Sequence, residues 1–296
     1  TQAVALKSNM TPEQALAGVM SECLQQIVRN SALLAGVDAG HGASANADEL
    51  VHQLRVGVRR LRSAWSLFKD LTELPDPQLR QVIKQFFAQL GTAREEHVLW
   101  QKLWPVLQAA GQPPLSFQQT NETLDLGALL CHPSFQSWQI EMLRFLHHLK
   151  AEPVSKRLDS HPKTLLKKQL GRKLSQWHKQ LLRDGLRFDE LGEAQQHALR
   201  KKLKRLRYAL QFSGALLPEQ RMKAYLKRLS ALQDQLGDMN DWVEAKNRLI
   251  LMSEQQPQAQ FSVVWITSLL GQTQRSVGLD FKRFAKSDGK HFFDLR

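Results

Sequence analysis

The chain contains an internal repeat that limits it to folds with two similar halves. Residues 52–62 (HQLRVGVRRLR) match residues 197–207 (HALRKKLKRLR) at a constant offset of 145, and six of the eleven positions are identical. The tripeptide Gln-Leu-Gly follows at 89–91 and again at 235–237, at an offset of 146. Because such a repeat indicates duplication of one supersecondary unit, we expect two copies of one helical hairpin.

The spacing of apolar residues predicts helices throughout the chain. Apolar residues recur three and four positions apart, and no segment alternates as a strand would. Thr11-Pro12 and Asp76-Pro77 are typical helix starts. We predict loops at 36–47 and 111–131 and helices at 12–36, 48–71, 77–110 with a break near Gly91, 133–150, 162–185, 193–216, 218–237, 240–256 and 258–285.

These helices predict an all-α fold of two four-helix bundles related by approximate twofold symmetry. The length of 296 residues suits two modules of ordinary domain size. We place the N-terminal bundle at 10–155 and the C-terminal bundle at 156–286.

The composition favours an anionic partner. Lys and Arg number 41 against 28 Asp and Glu, giving a formal net charge of +13. No apolar run approaches the roughly 20 residues that a bilayer span needs. Cys23 and Cys131 form no Cys-x-x-Cys pair, so neither a disulfide framework nor a zinc site of that kind is predicted. We expect a cytoplasmic protein without membrane contact.

The basic residues of the repeat form two strips, each beside the apolar face of its helix. The first strip is His52, Arg55, Arg59 and Arg62, and the second strip is His197, Arg200, Lys204 and Arg207. The spacings of three, four and three make each strip continuous over about 15 Å of helix. Like charges at these spacings repel, so an anion outside the helix would stabilise them.

A solvated helix face is the simpler interpretation of any run of Lys and Arg. Two features favour a binding site instead: each strip borders the apolar face, and the strip recurs in the same phase in both halves. A twofold would let the strips face each other across a central cavity and concentrate positive potential there. Arg and Lys in such a cavity suit the phosphate oxygens of a long, flexible polyanion.

The two strips and the two Gln-Leu-Gly segments resemble the CHAD family, the histidine-bearing α-helical domain, over about residues 11–284. The resemblance implies a basic central cavity that binds inorganic polyphosphate through the eight strip residues, and attachment to polyphosphate granules. Family members often follow a CYTH domain, so the resemblance also implies such a domain upstream as a partner. The sequence departs from the family's usual pattern at Arg94-Glu95-Glu96-His97.

Other cations near the strips are weaker candidates. Arg60, Lys201, Lys202 and Arg205 lie off the strips, so we expect them at the rim or in solvent, and we keep Arg60, Lys201 and Arg205 as additional binding candidates. The helix at 162–185 adds a second candidate wall, although a solvated face is the simpler interpretation of its cations Lys168, Arg172, Lys179 and Arg183.

We predict no catalytic residue, metal or cofactor. The repeated glycines are followed by Thr92 with Glu95 and by Asp238 with Asp241, which we interpret as helix caps. A catalytic carboxylate pair is the alternative, but neither copy supplies a base next to a nucleophile. The histidines form no ligand set of the His-Glu-x-x-His kind, and no phosphate-binding glycine loop with Lys-Ser or Lys-Thr is present. The tryptophans are predicted to pack in the core.

Nucleic-acid binding is the main alternative, because phosphate contacts supply most of the non-specific affinity for any strand. Such proteins usually interleave exposed aromatic residues with the basic ones or present a reading helix, and neither strip does so. We therefore expect polyphosphate to be the ligand, with single-stranded RNA only a non-specific competitor.

Overall fold

The computed structural model describes residues 6–36, 47–116, 125–151 and 162–287, with the side chains of 91–99, 162–165 and 287 outside the described part. This part of the chain contains helices and no strand, so the all-α prediction is confirmed. Its α-helices are α1 (Pro12–Leu34), α2 (Ala47–Phe68), α3 (Pro77–Ala109), α4 (Leu126–Cys131), α5 (Pro133–Ala151), α6 (Pro162–Gly185), α7 (Glu193–Ser213), α8 (Glu219–Ser253) and α9 (Gln260–Ser287). None of these helices has both the length and the apolar character of a membrane span.

The predicted helix starts are confirmed by their capping geometry. Thr11 Oγ1 accepts a hydrogen bond from the backbone N–H of Gln14 at 3.3 Å, and the Gln14 side chain accepts one from the backbone N–H of Thr11 at 3.1 Å. At the start of α3, Asp76 Oδ1 accepts from the backbone N–H of Gln78 at 2.7 Å. These bonds satisfy backbone donors that the first turn leaves without partners.

Each half of the chain packs as a ring of four helices. In the first half, α1 and α3 each contact both α2 and α5, and in the second half α6 and α8 each contact both α7 and α9. Equivalent helices therefore hold equivalent places in two four-helix bundles. The twofold relation between the bundles remains a prediction, and the boundary at 155 lies outside the described residues.

The repeated helices also join the two halves, since α2 packs against α7 and α3 packs against α8. Lys102 of α3 donates hydrogen bonds to two carboxylates of α8, Asp238 Oδ1 at 2.6 Å and Asp241 Oδ2 at 3.0 Å. Burial alone would lower the pKa of Lys102, but the two carboxylates outweigh it and raise that pKa. This polar contact links α3, the second helix of the first hairpin, to α8, the second helix of the second hairpin.

The apolar faces of the repeated helices lie in the core and fix the orientation of the strips. Leu54, Val58 and Leu61 of α2 are fully buried, as are Leu203 and Leu206 of α7. Each such side chain contributes about 1.5–3 kcal/mol when it leaves water. Because a strip lies beside each apolar face, this burial keeps the basic residues close to the partner half.

Four local predictions are wrong. Helix α3 runs through Gly91 without the predicted break, and α8 joins the two helices predicted at 218–237 and 240–256. The two predicted caps, Thr92 with Glu95 and Asp238 with Asp241, therefore lie inside helices. Asp238 and Asp241 bind Lys102 instead. The side chains of Thr92 and Glu95 lie outside the described residues. The short helix α4 occupies the end of the predicted loop 111–131. The other predicted loop, 36–47, is not tested over residues 37–46, which lie outside the described residues.

Candidate anion-binding site

A cavity of about 1290 Å³ lies between the two halves and is lined by α2, α3, α7 and α8. Six of the eight strip residues are among its lining residues: Arg55, Arg59, Arg62, His197, Arg200 and Lys204. The structure thus brings both strips to one space. The other two strip residues, His52 and Arg207, are not among the lining residues.

Contacts within the first half hold the arginines of the first strip in place. Arg55 Nη1 donates a hydrogen bond to the backbone carbonyl of Leu90 at 2.8 Å, which links α2 to α3. The ring of Phe87 lies 4.9 Å from the Arg55 guanidinium and 5.9 Å from that of Arg62. Cation–π contacts of this kind orient the guanidinium groups of both arginines.

In the second strip, His197 is oriented by Asn240 of α8. The distance from His197 Nδ1 to Asn240 Oδ1 is 2.7 Å. Because the amide oxygen can only accept, Nδ1 carries the proton and Nε2 is the ring nitrogen left for a second partner. Protonation would make Nε2 a donor to a phosphate oxygen.

The electrostatics of Lys204 show how closely the two strips approach. Burial lowers the pKa of this ammonium group from 10.5 to about 7, helped by the positive charges of Arg200, Arg59 and Arg207 and opposed by Asp241. Arg59 belongs to the other half, so the two strips repel each other across the cavity. Burial also lowers the pKa of Arg62, another lining residue.

The cavity lining carries a large excess of positive charge. Its described residues include ten Lys and Arg side chains and three carboxylates. Each carboxylate forms an ion pair with a cation outside this lining set: Glu193 with Lys246 at 2.7 Å, Asp241 with Lys102 at 3.0 Å, and Glu244 with Arg248 at 3.0 Å. Because these three carboxylates are paired with other cations, they neutralise little of the positive charge on the described lining residues. An anion entering the cavity therefore meets a positive surface.

The additional candidates have three different outcomes. Arg205 and the exposed Lys201 line the cavity, and the Arg205 guanidinium lies 4.2 Å from the Trp177 ring centroid. The predicted rim position of Arg60 is wrong, because this residue is only 8% exposed. Its guanidinium binds Glu22 Oε1 at 2.6 Å and Gln26 Oε1 at 2.9 Å inside the first bundle. Lys202 forms an ion pair with Asp184 at 2.5 Å.

The second candidate wall does not reach the cavity. Lys168, Arg172 and Lys179 of α6 are exposed and are not among the lining residues. Arg183 is also exposed and lines a separate cavity of about 570 Å³. The solvated face is therefore the better interpretation of this helix.

A model of the CHAD domain family matches residues 18–249, which is more than half of the chain. The chain belongs to the CHAD domain family. Its structure is similar to the crystal structure of the CHAD domain from the plant Ricinus communis, with 28% sequence identity, 95% of each chain covered and a TM-score of 0.67. No curated protein sequence matches this chain significantly.

Three lining cations of this CHAD domain were missed by the sequence reasoning: Lys69, Arg80 and Lys84. They lie beyond the repeated motif, so comparison of the two copies passes over them. One signal could have found the first, since Lys69 follows Arg62 by seven residues and two helical turns return it to the same face. The other two are four residues apart on α3, the spacing of neighbours on one helix face.

The structure offers no evident metal centre in its described residues, where no group of three or more His, Cys, Asp or Glu side chains is arranged to hold an ion. The hydroxyl groups of Ser63 and Ser66, which line the cavity, donate to the backbone carbonyls of Arg59 and Arg62 at 2.9 and 3.0 Å. The hydroxyl proton of each serine is therefore engaged by a backbone carbonyl, which is not a base that could activate a nucleophile.

Proposed function

We propose that this CHAD domain binds inorganic polyphosphate in the cavity between its two halves. The observation that carries the proposal is the meeting of both strips in one cavity, where ten Lys and Arg side chains face three carboxylates among the described lining residues. The CHAD family is associated with polyphosphate. Polyphosphate is a flexible chain of charged phosphates, so it can follow both strips along their length, whereas a compact anion contacts them only where they meet.

The charge arrangement explains why a polyanion would bind tightly. Arginine forks of both strips can engage phosphate oxygens in pairs of hydrogen bonds, and Lys204 adds a point charge. The repulsion between Arg59, Arg200 and Lys204 is relieved when negative charge lies among them. Binding therefore stabilises the folded chain by mass action, in proportion to the logarithm of the ligand excess.

We propose binding without turnover, because the hydroxyl protons of Ser63 and Ser66 are engaged by backbone carbonyls and each of the three described cavity carboxylates is paired with a cation. A module that holds polyphosphate without cleaving it would attach the protein to polyphosphate granules in the cytoplasm.

A competition titration tests the proposed ligand against nucleic acid. Labelled long-chain polyphosphate bound to the protein is titrated with unlabelled polyphosphate or with single-stranded RNA at equal phosphate concentration and 150 mM salt. We expect polyphosphate to compete at least tenfold better, because among the described lining residues Trp65 and Tyr208 are buried and Phe87 is only partly exposed, which leaves little ring surface for bases to stack on. Clearly better competition by RNA would reverse the assignment.

We expect the affinity for polyphosphate to fall as the pH rises above 7. Lys204 has a pKa of about 7 in the free protein, and a bound polyanion favours the protonated form and raises this pKa. Between pH 7 and the higher pKa of the complex, Lys204 therefore takes up a proton when polyphosphate binds, and binding weakens as protons become scarcer. Fluorescence titration at pH 6.5 and pH 9 should show affinity weaker by about tenfold at pH 9.

The variant Lys204→Arg separates this effect from other titrations. Arginine stays charged over the whole range, so the variant should lose most of the dependence on pH. The part of the pH dependence that this variant loses is the part that belongs to Lys204. A variant whose affinity falls with pH as steeply as that of the parent would contradict the role of Lys204.

A further inference from the structure

We infer that the cavity holds polyphosphate along a second stretch, formed by Lys69, Arg80 and Lys84, and we call these three residues the arm. The inference rests on the proposed function, and it concerns residues outside the repeated motif. All three are among the residues that line the cavity. The arm would make the binding track longer than the two strips alone.

The arm continues the first strip along the same wall. Lys69 lies seven residues after Arg62, which adds about 10 Å along the helix direction at 1.5 Å per residue. The chain then turns, and α3 begins at Pro77. One helical turn inside α3, Arg80 and Lys84 join the same cavity lining. From Arg55 to Lys69 the wall spans about 21 Å, about twice the distance from Arg55 to Arg62.

The cations of the arm have no ion-paired carboxylate in the described part of the chain, although Lys69 and Asp70 attract each other. Lys69 is exposed beside Asp70, but the Asp70 carboxylate binds Lys173 at 2.8 Å. Lys84 is exposed. No described ion pair includes Lys69, Arg80 or Lys84. Charges placed in a cavity without internal compensation are suited to an external anion.

Two buried donors at the arm also lack an acceptor among the described residues. These atoms are Arg80 Nε and Trp65 Nε1, and both residues line the cavity. Trp65 lies on α2 between Arg62 and Lys69, where the strip meets the arm. A buried donor without an acceptor costs about 1–3 kcal/mol. Both donors lie at the junction of the strip and the arm, so a small side-chain rearrangement on binding would bring them to phosphate oxygens.

This arrangement predicts a dependence on chain length. Cations of both strips meet around Lys204, whose neighbours include Arg59 and Arg200, so a short phosphate chain is expected to bind there. A long chain occupies the same place and continues to the arm. Removing the arm should therefore weaken the binding of long chains and leave short chains almost unchanged.

The test is the triple variant Lys69→Gln, Arg80→Gln and Lys84→Gln, titrated with long-chain polyphosphate and with tripolyphosphate at 150 mM salt. We expect at least tenfold weaker binding of the long chain and less than twofold change for tripolyphosphate. The slope of log affinity against log salt should become smaller by about two for the long chain, by the counterion-release relation for nucleic acids. At this salt concentration the Debye length is about 8 Å, so distant charges contribute little.

A matched control is available on α6, where Lys168, Arg172 and Lys179 are exposed and outside the cavity lining. Their replacement by glutamine also removes two lysines and one arginine. It should change the affinity for long-chain polyphosphate and the affinity for tripolyphosphate by less than twofold. Equal losses in the two triple variants, or equal losses for the two ligands, would overturn the inference. A parent that binds no polyphosphate would overturn the proposed function itself.

Folding is checked separately, so that loss of binding reports on the site. Circular dichroism and the thermal midpoint of the arm variant should match those of the parent. If the triple variant does not fold, the single variants Lys69→Gln and Lys84→Gln, both at exposed positions, carry the test. Each should weaken long-chain binding about threefold, and no effect in either would overturn the inference.

Discussion

Replacing Arg55, Arg59, Arg200 and Lys204 together with glutamine should weaken the binding of long-chain polyphosphate at least 100-fold at 150 mM salt. These residues line the cavity from both halves, and the charges of Arg59 and Arg200 both act on Lys204. Glutamine keeps a polar side chain of similar reach but removes four cationic groups from one cavity. Fluorescence or calorimetric titration measures the loss.

The matching control removes four charges from the exposed face of α6, through glutamine at Lys168, Arg172, Lys179 and Arg183. The net charge of the two variants is the same, so a general attraction between a basic protein and a polyanion would weaken both equally. We expect the control to bind within threefold of the parent. Wild-type affinity in the cavity variant would contradict the site assignment.

The variant Arg60→Met should lower the free energy of unfolding by about 3–5 kcal/mol, which is the usual cost of removing one partner of a buried ion pair. Arg60 is paired with Glu22 at 2.6 Å, and their side chains are only 10% and 8% exposed. Methionine would leave the Glu22 carboxylate buried without its principal cation. Chemical denaturation measures the loss directly.

Two further measurements define the role of Arg60. The double variant Arg60→Met and Glu22→Met should recover most of the lost stability, because apolar residues can replace a buried ion pair at little cost. At 20 °C the single variant should bind polyphosphate within twofold of the parent, since Arg60 is not among the lining residues of the cavity. Unchanged stability together with weaker binding would show instead that Arg60 contacts the ligand.

Arg60 also shows what a helical wheel cannot decide. It lies next to Arg59 in sequence, and its charge made it a candidate for the rim. The wheel gives the direction of a side chain around its own helix, but the acid that neutralises it, Glu22, lies 38 residues away on α1. Only the packing of α1 against α2 brings the two together.

The fold was accessible from sequence because its signals are local or repeated. Helix caps at Thr11 and Asp76 depend on residues within three positions, and the repeat at 52–62 and 197–207 indicates the duplicated hairpin. The errors arose where a local signal met tertiary packing. Glycines at 91 and 237 suggested helix ends, yet α3 and α8 continue through them.

The site was predicted in part for a similar reason. A strip belongs to one helix, whereas a cavity belongs to four helices, and the crossing of α2 and α7 determines which part of each strip faces it. His52 and Arg207, at opposite ends of their strips, are therefore not among the lining residues. Lys69, Arg80 and Lys84 line the cavity without belonging to the repeat, and no comparison of the two copies could identify them.

A crystal structure of the protein with bound long-chain polyphosphate is the most direct test of these conclusions. We expect continuous phosphate density inside the cavity, with oxygens within hydrogen-bond distance of Arg59 from the first half and of Arg200 and Lys204 from the second. Phosphate density confined to the outer surface of one bundle, with these three side chains uncontacted, would contradict the proposal that both halves hold one chain.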